Sequence, residues 1–254
     1  MIGTVYEPFQ GDPAGYQPTA ASVRAFLDEI NAVYPPARLT MDDICFLHVG
    51  VQPGPPTRPG DSVEPDKHSE VIDHAARGGL RGLISIKGVK YTTGVDVGER
   101  AGQLAARLMG ARGAGKAAAF YGASKFVEPQ TVVQAAQRRH LNLPPAVAAR
   151  LAANYGGLMD VVLEEAMRDA AALLPGASNV LRAEIRYAVR CEHAVKLADV
   201  LLRRTELGTL ARPPEPVLVA VADEMAELLG WSPARRTTEL EEVRARYPNF
   251  TTSG

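Results

Sequence analysis

Apolar residues recur at steps of three and four along residues 179–205, and this repeat constrains the fold more than any other feature of the sequence. Such a helix would carry on one side the stripe Leu181, Ile185, Ala188, Cys191, Val195, Ala198 and Leu202. A helix with one apolar stripe is stable when the stripe is buried against a neighbour. The spacing therefore predicts one continuous helix over residues 179–205 inside a helical domain.

The opposite side of this predicted helix is charged. Arg186 and Arg190 are four residues apart and at that spacing can pair with nearby carboxylates such as Glu184. The pattern favours a solvated face with some ion pairs. Arg203 and Arg204 also lie on this face, where they could dock a partner domain or anchor the helices on the first part of the chain.

Helical signals continue on both sides of this stretch. Prolines at helix starts and glycines at helix ends set the expected boundaries. The predicted helices are residues 130–140, 144–157, 158–174 and 217–230. Residues 126–254 are therefore predicted to form an all-helical carboxy-terminal domain.

The first 125 residues differ, because strand and helix signals alternate there. Apolar runs bounded by turn residues predict strands over residues 2–6, 43–51 and 80–90. A helix is predicted after Thr19, which is a good N-cap, and another over residues 96–109. We therefore expect an α/β (or α+β) domain over residues 1–125, with the pairing of its strands left open.

Two stretches of low regularity divide the chain. Residues 53–66 contain five prolines and two glycines and are expected to form a loop. Residues 110–129 are rich in glycine, alanine and serine, and we interpret them as the connection between the two domains.

Composition excludes several classes of protein. The formal net charge is −1 and no block of lysine and arginine stands out, so we expect no nucleic-acid partner. Cys45 and Cys191 are too few for a disulfide framework, which favours free thiols in a reducing cytoplasm. We expect neither a signal peptide nor a membrane span, and contact with a membrane surface is left open.

The segment Gly88–Gly94, with the sequence GVKYTTG, is the most informative for chemistry. It connects a predicted strand to a predicted helix, so backbone N–H groups at the helix start would suit an anion or a polarised carbonyl. Lys90 adds a positive charge inside the turn. The alternative is a capped helix start with a lysine that only faces solvent.

Other candidate motifs are weaker. Residues 110–117 approach the phosphate-loop pattern, but Ala117 lacks the hydroxyl that would bind Mg²⁺. His68 and His74 lie near carboxylates at a spacing that fits no standard ligand set, so no metal site is predicted. His48 lies in an apolar segment and is expected to be a hydrogen-bonded core residue.

Five stretches together resemble the FAD-dependent glycerol-3-phosphate dehydrogenase family, and they occur in the family's order. They are IGTVY with GDP at 2–13, the 43–53 segment ending in GVQP, GLISIKGVKYTT at 82–93, the helical stretch 184–205, and GWS at 230–232. Each stretch alone is weak, but the ordered set spans almost the whole chain. The resemblance implies a carboxy-terminal half: a partial FAD- and substrate-binding domain over residues 1–125, followed by a helical domain over residues 126–254.

The resemblance also implies a reaction and a site. The reaction transfers a hydride from C2 of glycerol 3-phosphate, or a related phosphorylated polyol, to FAD. The implied cofactor-binding residues are Gly88, Val89, Lys90, Tyr91, Thr92 and Thr93. Lys90 is also the implied catalytic residue, and Gln52 and Lys90 are the implied substrate-binding residues. The implied location is cytoplasmic, with contact at the inner face of the cell membrane left open.

Departures from the family pattern qualify these expectations. No G-x-G-x-x-G fingerprint follows a strand, so most FAD contacts are expected from a separate FAD-binding chain. Gln52 stands where the family has a phosphate-binding arginine, and Val89 and Val95 replace a glycine and an arginine. The alternatives to half of an enzyme are a truncated fragment without activity and a non-catalytic interaction module.

Overall fold

The computed structural model describes residues 2–55, 63, 65–111, 126–169, 172–176 and 179–247. The chain divides into two compact units, one of residues 1–39 and 48–118 and the other of residues 40–47 and 119–254. The predicted domain boundary at residues 125 and 126 stays a prediction, because residue 125 lies outside the described ranges. Within those ranges, no helix is both long enough and apolar enough to cross a membrane.

The first unit begins its regular structure with helix α1, Ala20–Val33. The Thr19 hydroxyl accepts from the Ser22 N–H at 3.0 Å, which confirms the predicted N-cap. Val23 and Leu27 are the buried residues of this helix. Asn31 then fixes the chain after the helix, because its side-chain amide donates to and accepts from the backbone of Leu39 at 2.8 Å each.

A small antiparallel sheet follows. Strand β1, Glu70–Asp73, pairs with strand β2, Ile84–Lys87, in the register Glu70 with Lys87 and Asp73 with Ile84. Helix α2, Gly94–Leu108, contacts both strands and confirms the helix predicted over residues 96–109. Lys87 extends from β2 to the carboxylate of Asp66 at 2.9 Å, and this hydrogen bond raises the pKa of Lys87.

The wider sheet expected for residues 1–125 is absent from the residues that the structure describes. Residues 2–6 and 43–51 contain no strand. The predicted strand 80–90 is shortened to Ile84–Lys87, because Arg81 and Gly82 form a turn. A strand requires a neighbouring backbone to pair its N–H and C=O groups, and apolar alternation alone does not supply one. Ile2 and Val5 accordingly remain 58% exposed.

The second unit is helical, as predicted. Its helices are α3 (Pro129–Arg138), α4 (Pro145–Tyr155), α5 (Met159–Ala166), α6 (Arg182–Cys191), α7 (Leu197–Asp199), α8 (Glu215–Leu229) and α9 (Pro233–Arg244). The predicted stops at Tyr155-Gly156 and Gly230 are confirmed, and both glycines have positive φ. Proline lies in the first turn of α3, α4, α8 and α9, where its missing N–H costs nothing.

Two hydrophobic clusters form the core of this unit. The first includes Val132, Leu151, Val162, Leu163 and Tyr187. The second includes Ile185, Leu201, Leu218, Val221, Met225 and Val243. Helix α6 contributes to both clusters, since Tyr187 and Ile185 point into different ones. It is therefore the central helix of the unit.

The helix predicted over residues 179–205 is interrupted. Helix α6 ends at Cys191, and α7 begins at Leu197 after a bend in which His193 has a φ of 56°. The carboxylate of Asp199 accepts from the N–H groups of Val195 and Lys196 at 3.0 and 2.8 Å. These bonds cap a new helix start, so Cys191 and Val195 are exposed instead of lying on the buried stripe.

Helix α7 continues as a π-helical turn, Val200–Arg204. The N–H of Thr205 donates to the carbonyl of Val200, five residues earlier, at 2.9 Å. The Thr205 hydroxyl donates to the same carbonyl at 2.7 Å. Both donors fix the wider turn at its end.

We expect Asp199→Asn to lower the free energy of unfolding at pH 7 by about 0.3–1 kcal/mol, the usual contribution of a negative charge in the first turn of a helix, because the amide oxygen still accepts hydrogen bonds. Burial opposes ionisation of this carboxyl, but the N–H groups of Lys196 and Val195 outweigh it and lower the pKa of Asp199. A lowered folded-state pKa stabilises the fold above the unfolded pKa of about 3.9, and the effect is lost as pH falls through the folded value. The difference between variant and wild type should therefore shrink below about pH 4.

Urea unfolding of both proteins across this pH range measures the effect. Glu227→Gln is the control, because Glu227 is an exposed residue of α8. A difference that is the same at every pH would contradict the assigned role of the Asp199 carboxylate.

The charged face of α6 is more buried than its sequence predicts, and its charged side chains form ion pairs with residues other than those expected. Glu184 is fully buried and accepts from Arg150, from Tyr155 Oη at 3.0 Å and from the N–H of Leu181 at 2.7 Å. Arg186 Nε lies 2.6 Å from Glu224. The expected pairing of Arg186 and Arg190 with Glu184 is therefore wrong. The carboxylate turns inward, and the two arginines bind carboxylates of other helices.

Candidate functional site

The segment between β2 and α2 has the strand–turn–helix form that its sequence predicts. After Lys87 the chain is extended to Lys90, and a single 3₁₀ turn over Tyr91–Thr93 leads directly into α2. The N–H and the hydroxyl of Thr93 donate to the Lys90 carbonyl at 3.3 and 3.0 Å. These two bonds fix the conformation of the turn.

The backbone of this turn is accessible. Apart from the adjoining chain, no described atom lies within 4 Å of the point where a Cβ would stand on Gly88 or Gly94. Lys90, Tyr91 and Thr92 are exposed. The N–H groups of Thr93 and Gly94 already donate to the carbonyls of Lys90 and Tyr91, so the accessible part of the turn is its outer backbone and its exposed side chains.

A pocket of about 420 Å³ lies at the start of α2. We call it the α2 pocket and define it by its lining residues Lys67, His68, Ser69, Thr93, Asp96 and Arg100. Residues 67–69 come immediately before β1, and the other three share one face of α2 because they are spaced by three and four. The two segments are far apart in sequence and are brought together by the packing of α2 on the sheet.

The charges of the α2 pocket favour an anion. Lys67 and Arg100 are positive, and Asp96 supplies the single lining carboxylate. Arg100 Nε lies 3.1 Å from Asp96 Oδ2, and both side chains are substantially exposed to solvent. The Ser69 hydroxyl oxygen is buried and has no hydrogen-bond partner among the residues that the structure describes.

The predicted site residues divide between this pocket and the open surface. Thr93 lines the α2 pocket, whereas Gly88, Val89, Lys90, Tyr91 and Thr92 do not. Gln52 is exposed and also lies outside its lining. The roles implied for these residues stay predictions.

The remaining sequence candidates contribute less. His68 lines the α2 pocket, and His74 Nε2 lies 2.8 Å from Ser85 Oγ. Within the described ranges, no three histidine, cysteine or acidic side chains converge as metal ligands would. Of the near-match to a phosphate loop at 110–117, residues 112–117 lie outside the described ranges.

The helical unit has a second pocket, of about 430 Å³. This pocket lies at the carboxy-terminal ends of helical segments, whereas the α2 pocket lies at the amino-terminal end of a helix. It is lined by the ends of α4 and the π-helical turn and by Glu192, which follows α6. Its arginines are paired with carboxylates as Arg100 is, Arg203 with Asp199 at 3.0 Å and Arg204 with Glu192 at 3.4 Å. Helix carboxy termini carry partial negative charge and disfavour anions, so the α2 pocket is the better candidate for a negatively charged ligand.

Sequence reasoning missed Lys67, Ser69, Asp96 and Arg100 as site residues. A signal was present on α2, where Thr93, Asp96 and Arg100 repeat at helical spacing after a glycine- and threonine-rich turn. No comparable signal marks residues 67–69, because their position depends on the pairing of β1 with β2.

Comparison with known proteins identifies the family. A family profile described as the C-terminal domain of alpha-glycerophosphate oxidase matches residues 105–236, more than half of this chain. Glycerol-3-phosphate dehydrogenase 2 of Mycobacterium tuberculosis is 31% identical over 256 residues, covering 97% of this chain and 42% of that protein. Glycerol-3-phosphate dehydrogenase of Mycobacterium leprae is 30% identical over 259 residues, with the same two coverages.

A more distant relative agrees. The probable mitochondrial glycerol-3-phosphate dehydrogenase of Dictyostelium discoideum is 27% identical over 237 residues, covering 89% of this chain and 36% of that protein. The chain thus spans about two fifths of the length of these curated relatives. The resemblance seen in the sequence motifs is confirmed, and the chain belongs to the family of alpha-glycerophosphate oxidases and glycerol-3-phosphate dehydrogenases, with the family's carboxy-terminal helical domain in its second half.

Proposed function

We propose that this chain is the substrate-side, carboxy-terminal half of an FAD-dependent oxidoreductase of the glycerol-3-phosphate dehydrogenase type. The reaction is hydride transfer from C2 of glycerol 3-phosphate, or of a related hydroxyl substrate, to FAD. Family membership supports the reaction class. The observation that carries the proposal is the accessible strand–turn–helix at Gly88–Gly94, the segment that the resemblance places beside the flavin.

The residues of the turn fit one edge of a flavin. Open space beside Gly88 and Gly94 allows a flat ring to approach the backbone. Gly88, Val89, Lys90, Tyr91, Thr92 and Thr93 would hold that edge, and FAD when bound would supply the hydride acceptor. The positive end of the α2 dipole would favour negative charge next to the turn.

Two side chains are proposed to act on the substrate. Lys90 is exposed in the turn, where its ammonium group would stabilise negative charge on the substrate or on the reduced cofactor. Gln52 would contribute a hydrogen bond without a charge. Most of the FAD contacts are proposed to come from outside these residues, from a FAD-binding chain or segment that carries the G-x-G-x-x-G fingerprint, which follows no strand here.

A visible absorption spectrum tests whether FAD binding needs residues outside this chain. The purified chain is incubated with FAD and desalted, alone and together with the part of the Mycobacterium tuberculosis relative that this chain does not match. We expect a colourless chain alone, and a yellow mixture that bleaches when glycerol 3-phosphate is added. Flavin retained by the chain alone would contradict the proposed need for a partner. A yellow mixture that does not bleach with this substrate or a related polyol phosphate would contradict the proposed reaction.

In the bleaching mixture, we expect Lys90→Ala to slow flavin reduction about 10²-fold, the usual effect of removing one charge-stabilising donor. Arg77→Ala is the matched control, because Arg77 is an exposed cation outside the turn and the α2 pocket. Stopped-flow absorbance measures both rates. Equal rates in the two variants would remove Lys90 from the proposed site.

A further inference from the structure

We infer that the first unit of this chain becomes stably folded only when the FAD-binding part of the family protein packs on it, whereas the helical unit is stable by itself. The docking surface consists of Leu83, Ile86, Tyr91 and Val95, and we call it the β2–α2 surface. The identity of the partner rests on the proposed function. The need for a partner follows instead from the burial of apolar side chains in each unit.

The two units differ in their apolar cores. Among the described residues of the first unit, the buried apolar side chains are Val23, Leu27 and Val97, and the other apolar side chains are half-buried or exposed. The helical unit instead contains two clusters of buried side chains that share α6. Apolar burial has to offset the conformational entropy that the chain loses on folding. The first unit is therefore the less stable of the two.

The small sheet leaves apolar side chains uncovered. Ile86 of β2 is opposite Val71 of β1, so the two side chains share one face of the sheet, and Ile86 is 53% exposed. Leu83, which comes just before β2, is exposed as well. A two-stranded sheet is marginally stable unless further strands or packing on an apolar face support it. Helix α2 gives part of this support, with Val97 as its buried residue.

Exposed apolar side chains continue from the sheet into the start of α2. Tyr91 is fully exposed, and Val95 is 56% exposed. Aromatic side chains are enriched in protein interfaces, where the ring is buried against the partner. Neighbouring exposed apolar groups mark interaction sites on protein surfaces. Residues 83–95 therefore have the character of an interface that is open in this chain.

The FAD-binding part suits this surface for two reasons. The turn at Gly88–Gly94 lies between Ile86 and Val95, and the proposed function brings the flavin and the residues that hold it to this turn. The chain spans about two fifths of the length of its curated relatives, so the rest of such a protein is long enough to supply a covering domain. Burial of the β2–α2 surface by that part would couple the folding of the first unit to binding.

Hydrogen–deuterium exchange of the full chain, followed by mass spectrometry of its peptides, tests the inference. In the chain alone, we expect the amides of β2 and α2 to exchange at least about tenfold faster than those of α6 and α8, because segments with few buried apolar contacts open most easily. The part of the Mycobacterium tuberculosis relative that this chain does not match is then added to saturation. Exchange at residues 83–95 should slow about tenfold or more, because binding stabilises the folded state.

A charge placed in the β2–α2 surface should abolish this slowing. Val95→Glu introduces such a charge, and a carboxylate in the first turn of α2 does not destabilise the helix itself. Val33→Glu is the matched control, because it makes the same change at a valine of the same unit that is 82% exposed and ends α1. The control should keep the slowing.

The inference is overturned if β2 and α2 of the chain alone exchange as slowly as α6, or if the added part leaves exchange at residues 83–95 unchanged. It is also overturned if Val95→Glu and Val33→Glu behave alike. Protection of these residues that rises with the concentration of the chain alone would show that a second copy covers the surface, which would contradict the inference as well.

The outcome is separable from that of the proposed function, because hydrogen exchange does not depend on turnover. Slowed exchange at residues 83–95 in a mixture that does not bleach would refute the proposed reaction and leave the inference intact. A yellow mixture that bleaches, while these residues exchange as fast as in the chain alone, would refute the inference and leave the reaction intact.

Discussion

Replacing Glu184 by alanine is expected to lower the free energy of unfolding by about 3–5 kcal/mol, the cost of removing one partner from a buried ion pair. Glu184 is fully buried, and the Arg150 side chain with which it pairs is only 13% exposed. Burial raises the pKa of Glu184, while the attraction of Arg150 acts in the opposite direction. Without the carboxylate, the Tyr155 hydroxyl loses its acceptor, and the Arg150 guanidinium keeps only the Asn179 carbonyl at 3.1 Å.

Urea unfolding followed by circular dichroism measures this loss. Glu184→Gln should lose less than Glu184→Ala, because the amide oxygen still accepts hydrogen bonds. Glu227→Ala is the control, since it removes an exposed carboxylate from another helix of the same unit. If Glu184→Ala and Glu227→Ala unfold at the same urea concentration, the buried network does not hold α4 and α6 together.

A second large effect is expected from Leu218→Ala, which should cost about 2–5 kcal/mol. Leu218 is fully buried in the cluster that includes Ile185, Leu201 and Met225. Truncation loses the transfer free energy of the side chain and leaves a cavity that the surrounding helices can fill only in part.

The matched control for this change is Leu210→Ala. Leu210 is 81% exposed, so its truncation should change the free energy of unfolding by no more than about 0.5 kcal/mol. Leu218→Met should be tolerated at less than about 1.5 kcal/mol, because it conserves volume. A loss for Leu218→Ala as small as that for Leu210→Ala would show that this cluster does not form the core of the helical unit.

Local patterns predicted the helical unit well, because helix formation depends on residues close in sequence. Apolar spacing located the helices from Pro129 to Leu229, and proline and glycine marked their ends. Helix α9, Pro233–Arg244, was missed because most of its residues are polar. It is fixed by the buried Glu239 carboxylate, which accepts from the N–H of Leu197 at 2.9 Å, and no local pattern reveals such a contact.

The bend between α6 and α7 shows a different limit. The apolar stripe continues through Cys191 and Val195, so periodicity alone extends the helix across them. The helix is interrupted because the Asp199 carboxylate accepts hydrogen bonds from two N–H groups in the bend and so starts a new helix. Whether the helix continues along the apolar stripe or restarts at a new cap depends on hydrogen-bond geometry, and the apolar pattern carries no information about that geometry.

The first unit and its pocket depend on contacts that are distant in sequence. The strands predicted over residues 2–6 and 43–51 would need partners that local pattern cannot supply. The α2 pocket combines residues 67–69 with residues 93–100, about 25 positions apart along the chain. Sequence analysis therefore located the turn at Gly88–Gly94 but not the cationic side chains next to it.

The π-helical turn Val200–Arg204 has a consequence for sequence change in this family. A turn closed over five residues holds one residue more than a turn closed over four. Deleting one residue here would restore ordinary helical winding and rotate the following side chains by about 100° around the axis. Relatives without the extra residue should therefore align with a single-position gap at this turn, and Asp199 and Glu192 would then need counter-ions other than Arg203 and Arg204.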